Sequence, residues 1–441
     1  MSNFAIFKET EQYKNLTSDQ KFFSKLFFSG GFYHLSGEAG TGKSFVIKCL
    51  FDFMNKYELP FAKTATTGVA AFNIGGSTIH SFFGVGHGSE DVGYLINKIK
   101  VNKKVTARIK GINCLLIDEV SMLTGSLFNK IDLICKYFRG NQKPFGGIKT
   151  IIACGDFCQL GAIFKDNDSK EYAFESRAWK EAEFKNIILK EIVRQKDVDF
   201  ASFLSRVRIG DTSDMSLIKN RFGAKFPSDG INPVYVFCKN KDVDNFNTKE
   251  LAKNKNFPKT FTAKLNGQDY VKEALIKNCP SPEILTLKVG ATVMITANID
   301  QDRGMVNGTI GFVKSFTNDG PIVQTKNGCI LIENNRWEIK EQVFEEGKIK
   351  YRVIGSMEQL SLKIAYAVST HKVQGTTLDR AILDMEGAFS AGQMYVALSR
   401  VRDLESVSIV NFPTRKIFAN EQCLEFYRNT HDLLDKARKT I

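Results

Sequence analysis

The nine cysteines of this 441-residue chain include no C-x-x-C pair. They are scattered and odd in number, and the nearest two, Cys154 and Cys158, have no histidine close by in sequence. A zinc site or a disulfide frame needs clustered, regularly spaced ligands, so the pattern speaks for buried thiols in a reducing compartment. No apolar run approaches the ~20 residues that a membrane-spanning helix needs. The opening MSNFAIFKETEQYKN has neither the apolar stretch of a secretory signal nor an arginine-rich transit pattern, so the expectation is a soluble, intracellular, cytoplasmic protein without a membrane partner. Low-complexity linkers and repeats of solenoid period are also missing, which argues against a disordered or array architecture.

What is present is apolar mass and positive charge. With 43% hydrophobic residues, a chain of this length can bury the cores of roughly two to four domains. Lys plus Arg number 61 against 48 for Asp plus Glu, a formal charge of +13. A polyanionic partner is favoured, with nucleic acid the first candidate. The segment KIKVNKKVTARIK, residues 98–110, concentrates that charge; a solvated helix face explains it as well as phosphate contact does.

The stretch GEAGTGKS, Gly37 to Ser44, fits G-x-x-x-x-G-K-[ST]. Small residues there expose backbone N–H groups to phosphate oxygens, and the following helix adds its positive N-terminal dipole. Lys43 reaches the outer phosphates and Ser44 ligates magnesium in such a loop. The preceding run FYHLS reads as the expected strand. FAKTAT, INCLLIDEVS and TIIACGDF then alternate with helical patterns, as parallel strands with crossover helices do. A second such set, VYVFCKN at 234–240, RAILDME at 380–386 and SVSIVNF at 406–412, predicts a second nucleotide-binding-type lobe. Between its pieces, short β-forming runs separated by Gly, Asn and Asp turns predict a small inserted β-barrel.

LLIDEVSM, 115–122, places Asp118 and Glu119 at the end of an apolar strand. Carboxylates at such a strand end, beside a phosphate loop, hold magnesium and activate water: Asp118 for the ion, Glu119 for the water. In GDFCQL, 155–160, Gln159 follows another strand and can reach a terminal phosphate, or else satisfy a turn. Hydrolysis between two lobes also calls for a cation against the charge developing on the transferred group. Arg194 and Arg400 are the candidates; each alone reads first as half of a surface ion pair, and together with the loop and the carboxylates they read as part of the site.

Taken in order, LTSDQ (16–20), GEAGTGKS, TATTGVAAFNIGGSTIHSFFGVG (64–86), LLIDEVSM, PFGGIKTIIACGDFCQL (144–160), LKEIVRQKD (189–197), LKVGATVMITAN (287–298), MVNGTIG (305–311), LKIAYAVSTHKVQGTTLD (362–379) and GQMYVALSRVR (392–402) span almost the whole chain. On these motifs the sequence resembles a superfamily 1 DNA helicase of the petite-integration-frequency group, related more distantly to RecD-type helicases. One departure is that the group usually follows GDFxQL with two prolines, where this chain has Gly161 and Ala162.

The resemblance implies an α/β fold of two RecA-like P-loop lobes. The first would span 1–186, with a small wedge insertion at about 84–108. The second would span 187–259 and 358–441, with an SH3-like β-barrel inserted at 260–357. It implies that Gln20 reads adenine, that Gly37, Ala39, Gly40, Thr41, Gly42, Lys43, Ser44 and Gly375 surround ATP, and that Lys43, Asp118, Glu119, Gln159, Arg194 and Arg400 form the catalytic set, with Mg2+ on Ser44 and Asp118. On its own Gly375 reads first as a turn residue. Thr66, Thr67, Thr78, His80 and Phe82 would line the first lobe's single-strand track, and Ser369, Thr370, His371 and Lys372 the second's; for Phe82 and Phe83, adjacent aromatics read first as core. The implied activity is ATP-dependent, five-prime to three-prime movement on single-stranded DNA and unwinding of duplex with a single-stranded tail. The implied working form is a monomer in a DNA-containing compartment. A translocase that strips proteins without unwinding and an ATP-gated clamp are the rival readings; Glu119, Arg194 and Arg400 argue against the clamp.

Overall fold

In the computed structural model, residues 2–438 are described apart from residues 163, 165–169, 196, 228–231, 301 and 346–347. The sequence motif LKEIVRQKD therefore has one residue, 196, outside the described set. Six strands form the first sheet: β1 (Gly31–Gly37), β2 (Ala62–Ala65), β3 (Ser77–Thr78), β4 (Cys114–Asp118), β5 (Thr150–Cys154) and β6 (Lys185–Leu189). They pair in parallel in the order β3-β2-β4-β5-β1-β6. A parallel sheet is covered on both faces, so its strands read as continuous apolar runs. The alternation is visible in the packing. Leu115, Ile117, Ile151 and Ala153 join the core under the helix Gly125–Arg139, whereas Cys114, Leu116, Ile152 and Cys154 join the one under the helix Lys43–Lys56. The order brings the carboxyl ends of β1, β4 and β5 side by side, and ligand sites of open α/β sheets form there.

The second sheet repeats the plan with β7 (Val234–Phe237), β18 (Ala367–Ser369), β19 (Ala381–Asp384) and β20 (Val407–Asn411), parallel in the order β18-β7-β19-β20. The helices Val198–Arg208 and Gln393–Leu398 pack into its core.

Between β7 and β18, where a small inserted β-barrel is expected, lies a mostly β region that also carries helices. β8 (Lys259–Thr262) pairs with β10 (Ile284–Leu287). β11 (Thr292–Ile295), β12 (Ile310–Phe316), β13 (Pro321–Thr325), β14 (Gly328–Leu331) and β17 (Leu362–Ile364) form one antiparallel sheet. The long hairpin of β15 (Asn334–Glu345) and β16 (Lys348–Leu360) adds β9 (Lys264–Gly267) at its side, with the helix Asp269–Asn278 packed on it. The expected end at 357 falls inside β16, and β17 still pairs with β11, so the β region extends to Ile364.

Two other boundaries move for physical reasons. β6 pairs with β1, so the first lobe's sheet runs past 186 to Leu189. The C-terminal segment expected in the second lobe returns to the first: Cys423 and Leu434 are buried in first-lobe cores, and Asp432 accepts from the Ile188 backbone N–H at 3.1 Å. Residues 84–108 form a loop, the helix Val92–Lys100 and most of the helix Lys103–Gly111. Leu95, Ile99, Val105 and Ile109 bury one face of this pair in the first-lobe core. Most of its lysines stay exposed, but Arg108 is buried over the Phe82 ring, donating to the carbonyls of Ser81 and Phe82.

Candidate active site and strand track

A cavity of about 870 Å³ lies between the lobes. Ala39, Gly40, Gly42, Lys43, Ser44, Asp118, Glu119 and Gln159 line it from the first lobe, Arg194 from the connecting segment, and Gly375 and Arg400 from the second lobe. One site thus gathers most of the residues expected at the nucleotide. Its floor is a loop that only glycine can build: Gly40 and Gly42 have φ of 91° and 80°, and a Cβ on Gly42 would sit 2.4 Å from Gln20 Nε2. Lys43 Nζ donates to the carbonyls of Gly37 at 2.7 Å and Glu38 at 3.2 Å, holding the loop round the helix N-terminus. Gly375 has φ of 78° and lines the cavity, so it is both a turn residue and a neighbour of the site.

Gln20, Gly37 and Thr41 act one layer below. The Gln20 Nε2 donates to the Thr41 carbonyl at 3.2 Å, and its Oε1 accepts from the Thr17 N–H at 3.0 Å. Gly37 lies against the Leu189 backbone, and the Thr41 hydroxyl donates to the Glu38 carbonyl at 2.9 Å.

The two carboxylates stand at the end of β4. Burial raises the Asp118 pKa. Burial first, and then the charge of Asp118, push Glu119 up to about 7, against the opposing charges of Lys43 and Arg400. Glu119 also has φ of 52°, a left-handed conformation that a residue with a Cβ rarely adopts. The Thr66 hydroxyl donates to its carbonyl at 3.0 Å, and Gln374 Nε2, from the other lobe, donates to its Oε2 at 3.0 Å.

Arg400 overturns the surface ion-pair reading. It is 1% exposed and lies two residues beyond the helix Gln393–Leu398. Its guanidinium donates to the Val396 carbonyl at 2.7 Å, the Ser399 hydroxyl at 2.6 Å and the Val373 carbonyl at 3.4 Å. Burial, then the charge of Arg194, lower its pKa to about 9. A buried cation with neutral partners lining a cavity is a group that an incoming anion would compensate. Arg194, in the segment that connects the lobes, donates to the Ser399 carbonyl at 3.0 Å.

Sequence reasoning missed the contacts that join the lobes. Arg208 grips Asp156 with two bonds of 2.9 and 2.7 Å, and Tyr427 lays its hydroxyl 3.2 Å from the same carboxylate. The Tyr395 hydroxyl accepts from the Ala39 N–H at 2.8 Å, and the Ser205 hydroxyl donates to Glu38 Oε2 at 2.7 Å. Asp156 and Gln374 sit inside motifs already singled out; Arg208 carries no local signal.

The expected track is only partly on the surface. Thr67 and Thr78 cap helices, accepting from the N–H groups of Ala70 and Ser81, and Thr66 is tied to Glu119. His80 is half-buried, with its pKa lowered by burial. Phe82 is a correction: at 0% exposure, stacked edge-on with Phe83 and under Arg108, its ring belongs to the core and is closed to a base. Ser369 and Thr370 are also buried, their side chains held by Asn240 at 2.7 Å and Gln393 at 3.0 Å, so any strand contact there is left to the backbone. His371 and Lys372 are exposed, and His371 lies parallel to the exposed ring of Phe389, 6.3 Å between centroids.

The PIF1-like helicase family matches residues 15–216, and the family of the DNA helicase Pif1 2B domain matches residues 271–316. A solved Pif1 helicase from Candida albicans is 35% identical, with a TM-score of 0.74 over 94% of this chain and 99% of that one. The chain belongs to the PIF1-like helicase family. Pif1 from Bacteroides sp., solved in complex with ADP-AlF4, has 25% identity and a TM-score of 0.80 over 94% of this chain and 96% of that one. The ATP-dependent DNA helicase PIF1 of Danio rerio is 35% identical over 422 residues, 94% of this chain but 64% of that protein. The chain thus spans less than two thirds of that curated relative. Among the described residues no helix is long and apolar enough to cross a membrane.

Proposed function

We propose that the chain is an ATP-dependent DNA helicase, moving five-prime to three-prime on single-stranded DNA as a monomer in a DNA-containing compartment and unwinding tailed duplexes. The observation that carries this is one cavity lined by a phosphate loop and paired carboxylates from one lobe and a buried arginine from the other. The zebrafish relative's name pairs ATP with a DNA helicase, and the Bacteroides Pif1 complex holds ADP-AlF4.

The loop amides and Lys43 bind the phosphates, and Glu119 takes the proton of the attacking water. Gln159 reaches the terminal phosphate, while Arg400 and Arg194 face the charge that develops there. Magnesium suits the donors: Ser44 offers a hydroxyl and Asp118 a carboxylate at the cavity wall, and among the described residues no cluster of three or more His, Cys, Asp or Glu could cage an ion without phosphate. When bound, it neutralises phosphate charge. Because Arg400 and His371–Lys372 belong to the same lobe, closure on nucleotide moves the strand grip with the arginine, which converts hydrolysis into steps. The β region after β7, SH3-like by resemblance, would guide the strand.

Strand displacement on duplexes with five-prime or three-prime tails tests the reading. Unwinding of the five-prime-tailed substrate alone, dependent on ATP and magnesium, is the expected result. Movement that displaces bound protein without separating strands would favour the translocase instead.

A further inference from the structure

Gln374 belongs to neither the expected catalytic set nor the expected track, yet it is bonded to one and adjacent in chain to the other. Its Nε2 donates to Glu119 Oε2 at 3.0 Å across the lobe boundary. The turn that carries it is tight: the N–H groups of Lys372 and Val373 both reach the Ser369 carbonyl, at 3.0 and 3.1 Å, and the Thr376 N–H reaches the Val373 carbonyl at 3.0 Å. The same turn offers its Val373 carbonyl to Arg400. At its outer end His371 and Lys372 are exposed. The exposed pair and the amide that holds Glu119 are thus joined by one hydrogen-bonded turn.

The chemistry gives the contact a direction. A carboxylate that takes a proton from water needs a free lone pair aimed at the water, and an amide N–H on Oε2 occupies one and fixes the group's rotation. We propose that Gln374 is a positioning residue that restrains Glu119 until the outer end of its turn engages a single strand, so that water activation is coupled to occupancy of the track. The inference rests on the proposed function.

The test uses the full chain, with Gln374→Met, which keeps length but removes the donor, and Gln374→Glu, which keeps shape. ATP turnover is measured without DNA and at saturating oligo-dT, together with KM for ATP, affinity for oligo-dT and equilibrium binding of an ATP analogue to verify folding. Turnover without DNA should rise about tenfold in Gln374→Met, the scale of one hydrogen bond to a charged group. Turnover with DNA, KM and both affinities should hold, so the stimulation ratio falls by the same factor. A role in structure alone would move affinity or both turnovers together. The proposal is overturned if folded variants of both kinds keep the wild-type stimulation ratio, or lose turnover equally with and without DNA. If the wild type itself fails to hydrolyse ATP in either condition, the proposed function falls and this coupling with it; a stimulated wild type with unaltered variants sinks the coupling alone.

Discussion

Replacing Arg208 with alanine tests the joint between the lobes most directly. Asp156 is 1% exposed, and both Arg208 bonds to it, 2.9 and 2.7 Å, are charge-assisted. Burial alone would raise the Asp156 pKa; the charge and hydrogen bonds of Arg208 outweigh it and hold the carboxyl below its ordinary value. The variant leaves that carboxylate buried with hydrogen bonds from Tyr427, Gln159 and the Cys158 backbone N–H, and with the charge of Lys43 acting on it. Breaking one side of such a pair costs about 3–5 kcal/mol. For units of this size that lowers the melting temperature by roughly 10 °C. Trp179 is a suitable reporter, since its ring lies 6.0 Å from that of Phe157, next to Asp156; a Trp337→Phe background isolates its fluorescence. The loss should shrink as pH falls, because without Arg208 burial prevails and the carboxyl takes up a proton instead of remaining charged. In the wild type the sign is opposite: a depressed pKa contributes stability above the ordinary carboxyl range and loses it as pH falls through the folded value. The double variant Asp156→Asn with Arg208→Met removes both charges and should cost less than Arg208→Ala alone. A melting temperature for Arg208→Ala within ~1 °C of wild type at neutral pH would refute the reasoning.

Arg400→Ala should cut ATP turnover by ~10³-fold with ATP-analogue binding nearly intact, as loss of an arginine finger does; near-normal single-turnover hydrolysis would return Arg400 to a structural role. His34 is 0% exposed and its pKa is lowered to about 4 by burial, partly offset by Asn186. The unfolded chain takes that proton near pH 6.5, so stability present above 6.5 should drain by about 3 kcal/mol as pH falls towards 4, and urea titrations of His34→Phe should lack this part of the acid loss. His371→Ala should weaken oligo-dT binding in fluorescence anisotropy by about fivefold or more, on the scale of one stacked base. Phe82→Ala should instead lower stability by about 3–5 kcal/mol, as a core truncation does. Equal effects of the two on affinity would put Phe82 back on the track.

Legibility followed the physics of each feature. Strands β1, β4, β5, β7, β19 and β20 were readable because strands of a covered parallel sheet carry mostly apolar runs, and GEAGTGKS because backbone approach to phosphate demands glycine at fixed spacing. β3 has two residues, β18 three, and β6 begins on an exposed lysine, so none carries a comparable run. The wedge at about 84–108 is expected from the family resemblance, while its apolar face, Leu95, Ile99, Val105 and Ile109, joins the main core. Phe82 was assigned to the track by its place in a motif; the buried Arg108 that covers its ring lies 26 residues on.

The deeper limit is that the two halves of the site come from separate parts of the chain. Asp156 meets Arg208 across 52 residues, Glu119 meets Gln374 across 255, and Ala39 meets Tyr395 across 356. No local periodicity records such pairs. They share one property, however: each joins a residue at a strand end of the first lobe to a helix or turn of the second. A motor that works by changing the relation of its lobes must store the change in bonds of this kind, since bonds within a lobe survive the movement unaltered. On the proposed function, the interlobe bonds divide into those that define the joint, such as Asp156–Arg208, and those that engage a proposed catalytic group, such as Gln374–Glu119. Loss of the first kind should lower stability and leave the response to DNA in place. Loss of the second should do the reverse, and that opposition makes the two sets of variants informative about each other.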